Sequence, residues 1–131
     1  MLLKLIIVFI SGLVIGSVAE FIYKSVERHK LIRPRLVNVQ MYAATAVFLW
    51  FLHFYGLALI YQVLLIIVFT TGMELAVAVY LLKHNLKLDW DYSGCWLNYK
   101  GLICFKFSLL WLLLSLLVYY TLIPLVINLH I

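Results

Sequence analysis

The sequence predicts an all-α polytopic membrane protein with four transmembrane helices packed in one bundle. Three observations lead there. Of the 131 residues, 67% are apolar and only 11% are charged, whereas soluble domains run at about half apolar and about a quarter charged. Several apolar runs approach or exceed the ~20 residues that a helix needs to cross a bilayer. The basic residues gather between those runs, with Lys24, Arg28, Lys30, Arg33 and Arg35 in one cluster and Lys83, Lys87, Lys100 and Lys106 in the other.

The first helix is expected over about residues 2–26. Its start, with a basic residue, an apolar core and Ser17-Val18-Ala19, imitates a signal peptide. Cleavage after Ala19 would leave the basic cluster on the translocated side, so an uncleaved helix is expected. A polar connector, 27–37, follows, and Pro34 marks a helix boundary. The apolar stretch from Val37 to Leu82 is far too long for one crossing. Its break lies among His53, Gly56 and Gln62 in "WFLHFYGLALIYQ". That predicts a short second helix over about 38–54 and a longer third over about 58–83. Residues 84–101, "HNLKLDWDYSGCWLNYKG", are amphipathic and rich in turn formers. The last helix is expected over about 102–126, ending near Pro124.

Four crossings put both basic connectors on one side, which the positive-inside rule makes the cytoplasm. Nine of the ten Lys and Arg residues then lie inside, with Lys4 alone outside. The expected location is the cell membrane, with both termini outside. An internal echo accompanies this pattern: "GSVAEFIYK" in helix one and "TTGMELAVAVY" in helix three each precede a polar connector. Trp50 and Trp111 follow in the next helices. The echo suggests two parallel helical hairpins related by an axis along the membrane normal.

Position also decides what the net charge of +5 means. Both clusters flank apolar segments, so topology and lipid headgroups account for them, and nucleic acid is not an expected partner. Cys95 and Cys104 form no CxxC pair and no metal-ligand spacing; in a cytoplasmic loop they would be free thiols. Asp89 and Asp91 in "DWDYS" are too few for a metal site and fit turn and cap chemistry. His29 and His84 fall at the inner surface, His53 and His130 outside. No HExxH, nucleophile elbow, P-loop or GxGxxG is present. No enzyme activity, cofactor or metal is therefore expected.

Two carboxylates are the functional handles. Gly12, Gly16, Glu20, Lys24 and Arg28 recur every four residues and share one stripe of helix one. The two glycines permit close helix approach. Lys24, one turn from Glu20, can neutralise it locally and can also reach the headgroups on its own. Glu74 has no such neighbour: Thr70, Thr71, Val77 and Ala78 surround it on its own helix. Lys83 lies nine residues away, about 13 Å along the axis. A charge at the bilayer centre costs roughly 2.5–3.5 kcal/mol on insertion scales for Asp, Lys and Arg. Glu74 should therefore face inward, within reach of Thr70, another helix or a loop. Trp90, Asp91, Tyr92, Ser93 and Asn98 should fold back on the inner helix ends, which would cover Trp96 and Leu97 as well. Asp91 would then serve a helix end, Arg33 or Arg35.

The segment "WDYSGCWLNYKGLICFKFSLLW" resembles the pattern WDYS, N-x-x-G-x-I-C and F-S-L-x-W of a family of small membrane proteins. These are the CmpB-like putative ABC-transporter permeases. The matching positions are Trp90, Asp91, Tyr92, Ser93, Asn98, Gly101, Ile103, Cys104, Phe107, Ser108, Leu109 and Trp111. Glu20 and Glu74 match the family's helix-one and helix-three glutamates, and the likeness covers about residues 11–124. One stretch departs from it: "RPRLVNVQMYAATAV" stands where the family carries GP-x-x-PIYG. The resemblance implies a permease-like transport component with Glu74, Glu20, Thr70, Asp91, Tyr92 and Asn98 near a polar substrate or ion path. Arg28, Arg33, Arg35 and Trp90 would contact a partner or headgroups. With no nucleotide-binding motif present, an ABC role would require a separate cytoplasmic ATPase. A 15.3 kDa chain is small for a whole pathway, so a homo-oligomer or larger membrane complex is expected among lipids. The alternative is a scaffold or regulatory subunit whose glutamates fasten helices to the WDYS loop.

Overall fold

The computed structural model describes residues 1–29, 31, 35–88 and 90–131, with Arg28 described by its backbone alone. Four helices make up most of the chain: α1 (Leu2–Arg28), α2 (Leu36–His53), α3 (Leu59–Lys83) and α4 (Phe105–Ile127). All four are long and apolar enough to cross a membrane, with mean hydropathies of 2.5, 1.3, 2.2 and 2.3 in chain order. The protein is thus all-α, and its length and composition make it a multi-pass membrane protein.

Local chemistry ends each helix. His29 enters the left-handed region at φ 51° and stops α1. After α2, Gly56 turns at φ 58°, with its N–H donating to the His53 carbonyl at 3.4 Å. That turn is the break that "HFYG" marks in the sequence. Before α3, the Gln62 side-chain amide donates to the Leu57 carbonyl at 2.7 Å, closing the helix entrance. Asn85, at φ 56°, lets the Leu86 N–H reach back to the Leu81 carbonyl at 2.8 Å. This left-handed closure satisfies carbonyls that a helix end leaves over.

The fourth helix begins at Phe105, three residues later than the sequence suggests. Residues 98–104 instead form a small antiparallel pair, β1 (Asn98–Tyr99) with β2 (Ile103–Cys104), in which Asn98 faces Cys104 and Tyr99 faces Ile103. Lys100 and Gly101 turn this hairpin at φ 51° and 69°, which a helix cannot accommodate. At its far end α4 carries Pro124 in the last turn. The Lys4 ammonium donates to the Ile127 carbonyl there at 2.6 Å, a cation placed where the helix dipole favours one.

The chain divides into two compact units, 1–56 with 117–131, and 57–116. In the first, α1 and α2 make the principal contact. A Cβ on Gly12 would lie 2.8 Å from both the Ala43 Cα and the Ala46 Cβ, and one on Gly16 would overlap Tyr42. Only glycine allows this approach, as the stripe of small residues implied. Half of the most apolar window of α2 is buried, against 22% for each other helix. In α3, the buried residues Gln62, Ile66, Thr70, Glu74 and Ala78 recur every four positions, while Leu64, Val68 and Val79 are exposed. Polar groups on the buried stripe and aliphatic groups outside would be untenable in water. In lipid the arrangement is the stable one.

Candidate functional site

In the unit formed by residues 57–116, α3 places Glu74 on its buried stripe, 3% exposed. The Tyr92 hydroxyl donates to Glu74 Oε1 at 2.6 Å. Tyr92 belongs to the segment after α3, yet its hydroxyl meets a residue nine positions before that helix ends. The segment therefore folds back along α3. The Tyr92 ring is held flat against Phe107 at the start of α4, with centroids 4.5 Å apart and planes at 15°. One residue on, Ser108 accepts a hydrogen bond from Thr71 at 2.9 Å. Tyr92 is thus clamped between α3 and the first turn of α4, and the F-S pair of the sequence pattern has a physical role at that clamp.

The rest of the segment is built to present Tyr92. The Asp91 carboxylate accepts from the Ser93 backbone N–H at 2.9 Å. That is an Asx-turn, the chemistry expected of "DWDYS"; Asp89 and Arg33 lie outside the described residues. Hydrogen bonds from Ser93, the backbone first and the hydroxyl second, hold the Asp91 carboxyl below its ordinary value of 3.8. Asn98 donates to the Cys95 carbonyl at 2.8 Å and accepts from the Gly101 N–H at 2.9 Å. Tyr92 N–H in turn donates to the Gly101 carbonyl at 2.9 Å. A Cβ on Gly101 would come within 3.1 Å of Asp91 Oδ1, so N-x-x-G is a staple with no room for a side chain. The Trp90 indole donates to the Leu102 carbonyl at 2.8 Å, a contact inside the segment rather than with a headgroup.

The same segment departs from expectation at its outer surface. Trp96 and Leu97 are 74% and 60% exposed, although folding back was expected to cover them. The cause is local: Leu97 sits at φ 49° between the Asx-turn and the hairpin, which turns both side chains outward. Cys104, by contrast, is buried at 2% exposure. Burial first, then neighbouring Cys95 and Glu74, push its thiol above the ordinary value of 9.0 against the opposing pull of the Phe107 N–H.

The other carboxylate lies in the unit formed by residues 1–56 and 117–131. Glu20 Oε1 pairs with the Lys24 ammonium at 2.7 Å and accepts from the Asn38 amide at 2.7 Å. Tyr42 donates to Oε2 at 3.2 Å. Glu20, Lys24 and Asn38 are all buried, at 8%, 6% and 3% exposure. Lys24 therefore turns inward and does not snorkel toward headgroups, because a paired ammonium with ready acceptors gains more from the interior than from a partial exit. Asn38 and Tyr42 were missed as site residues. Their signal was available: two hydrogen-bonding side chains about one turn apart on a largely apolar helix.

Of the other candidates, Thr70 is fully buried, but its hydroxyl donates back to the Ile66 carbonyl at 2.8 Å. Arg35 forms the extended N-cap of α2. The Arg28 side chain lies outside the described atoms. The residues that come together are therefore Glu74 with Tyr92 in one unit and Glu20 with Lys24, Asn38 and Tyr42 in the other.

Four apolar helices, two of which carry a buried carboxylate in Glu20 and Glu74, define a polytopic membrane protein. The family model described as "Putative ABC-transporter type IV" matches residues 7–131, and the chain belongs to that family. No curated protein and no solved structure matches it.

Proposed function

We propose that this protein is a permease-like component of a membrane transport complex, in which Glu74 and Tyr92 link a cytoplasmic segment to a transmembrane helix. The contact between these two residues carries the reading. A carboxylate within a spanning helix is costly, and here it is met by a hydroxyl from outside the helices, so displacement of the segment is felt inside the membrane. A transport complex that draws on a separate ATPase needs such a connection, since force applied at a loop must reach the helices. Thr70, Asp91 and Asn98 complete the proposed polar site or its support, and Glu20 forms a separate polar cluster in the other unit. Both termini lie outside in this reading, and the chain works as a homo-oligomer or within a larger complex, without catalysis of its own.

The internal echo supports the hairpin repeat. Glu20 accepts from Asn38 and Glu74 from Tyr92, each donor lying eighteen positions after its carboxylate. One observation favours the alternative of a scaffold: the Glu20 cluster, with three donors on one carboxylate, has the form of a fastening between α1 and α2.

Copurification distinguishes the two. The tagged full chain, gently solubilised from its native membrane, should bring down a nucleotide-hydrolysing protein whose activity responds to the chain. Tyr92→Phe should preserve that association and weaken the response. Failure to recover any ATPase under conditions that keep the chain folded, with other membrane proteins recovered instead, would replace the permease reading with the scaffold.

A further inference from the structure

The two cysteines of the chain lie nine positions apart in sequence and meet in the fold. Cys104 ends β2 opposite Asn98, and the Asn98 side-chain amide donates to the Cys95 carbonyl at 2.8 Å. Phe105 N–H donates to the Leu97 carbonyl at 3.3 Å, so residues 95–97 run back alongside 104–105. There the Cys95 and Cys104 side chains hydrogen-bond each other. Both are free thiols. The contact between Glu74 and Tyr92 and the staple that supports it use neither sulfur.

The two thiols differ in access, Cys95 being half-buried and Cys104 buried. Redox-responsive pairs are built this way, with an accessible sulfur that meets the oxidant and a resolving sulfur beside it. Depth selects the oxidant. Thr71 donates to Ser108 at 2.9 Å and Tyr92 to Glu74 at 2.6 Å, which sets the start of α4 level with the middle of α3. An uncharged hydroperoxide reaches such a level, where a charged reagent such as oxidised glutathione is disfavoured.

We propose that Cys95 and Cys104 form a modification site that hydroperoxides oxidise reversibly to a disulfide within the segment between α3 and α4. The Cys95 sulfur, as thiolate, attacks a peroxide oxygen and the O–O bond breaks. Hydroxide departs as water with the proton that the sulfur gave up, leaving a sulfenic acid on Cys95. The Cys104 sulfur then attacks the Cys95 sulfur, the S–O bond breaks, and a second water leaves with the Cys104 proton. In sum, two thiols are oxidised to one disulfide and one hydrogen peroxide is reduced to two waters. The bond closes residues 95–104 into a ring. Because Cys95 N–H donates to the Tyr92 carbonyl at 2.8 Å, that ring is tied to the residue that reaches Glu74, and the mount of Tyr92 becomes covalent. The site stands whether or not the chain moves a solute.

Thiol counting tests it on the full chain reconstituted into phosphatidylcholine vesicles. After exposure to hydrogen peroxide, catalase removes the excess, the chain is denatured, and a polyethylene-glycol maleimide counts the remaining thiols by gel shift. The doubly shifted band should give way to an unshifted monomer with no singly shifted species, and dithiothreitol should restore it. Dimedone, which traps sulfenic acid, should label Cys104→Ala and leave the wild-type chain unlabelled, because Cys104 resolves the intermediate first. The count on the wild-type chain depends on no variant folding. Thiols that survive a dose of peroxide sufficient to oxidise the same chain unfolded in dodecyl sulfate would overturn the proposal. So would a lasting dimedone adduct on the wild-type chain, or an oxidised product that is a disulfide-linked pair of chains.

Discussion

The Tyr92 hydroxyl lies 2.6 Å from Glu74 Oε1, so a side chain from outside the spanning helices reaches a carboxylate two and a half turns inside one. Loss of that hydroxyl in Tyr92→Phe should cost about 1–3 kcal/mol, the usual range for a buried donor removed from its acceptor. Glu74→Gln retains a side-chain oxygen to receive the bond and should cost less. Thermal unfolding in detergent, with limited proteolysis across residues 84–104, should rank the two in that order. A larger loss for Glu74→Gln would mean that the carboxylate's charge, rather than its oxygen, holds the site.

The Glu20 cluster predicts the opposite sensitivity. Glu20→Gln removes the negative charge beside a buried ammonium, a change that costs about 3–5 kcal/mol when it breaks a desolvated pair. Glu20→Gln/Lys24→Met removes both charges and should recover most of that loss. Denaturation of the three proteins side by side gives the coupling. If the single and double variants are equally stable, Lys24 does not depend on Glu20.

Glycine positions offer a paired comparison. Gly16→Ala forces a methyl into Tyr42 and should destabilise by about 1–3 kcal/mol, as overpacking does. It should also disturb the Tyr42 bond to Glu20. Gly72, in α3, has no atom within 4 Å of an added Cβ, so Gly72→Ala should be neutral or stabilising by up to about 1 kcal/mol. The two melting temperatures should move apart.

Thiol chemistry gives a pH test. Burial raises the Cys104 thiol above 9.0, so at neutral pH it is protonated and slow toward maleimide, which reacts with thiolate. Its labelling rate in Cys95→Ser should still be climbing with pH above 9, because burial, the main cause of the shift, remains in that variant. The sign for stability follows. The folded state holds this proton more tightly than the unfolded state, so the contribution is complete below the unfolded value. It is lost as pH rises from there toward the folded one. Rapid labelling of folded Cys104 at pH 7 would contradict the burial.

The helices were legible because lipid demands long apolar runs, and the turn was legible at Gly56 because so few residues in that run tolerate its backbone. The close approach at Gly12 and Gly16 was readable from spacing alone. Glu74 could be assigned to the interior by cost, but not given its partner, since Tyr92 lies outside the helix and reaches back by folding of the segment. Lys24 pairs with Glu20 as the spacing suggested, while Asn38 and Tyr42, which complete the cluster, come from another helix and could not be read from that spacing. The late start of α4 reflects Asn98 and Gly101, whose staple outcompetes helical propensity in the residues just before Phe105.

The bond from Lys4 to the Ile127 carbonyl has a bearing on biogenesis. Its partners are 123 positions apart, and they belong to a unit assembled from both extremes of the sequence. Residues 57–116 are continuous and can settle as soon as they leave the ribosome. The other unit can pack α1 against α2 early but is completed only when 117–127 have been made and inserted. During that interval the carbonyl that Lys4 will cap does not yet exist. Nascent chains arrested before residue 117 should therefore hold the Tyr92 contact and the α1–α2 packing while Lys4 still lacks its acceptor.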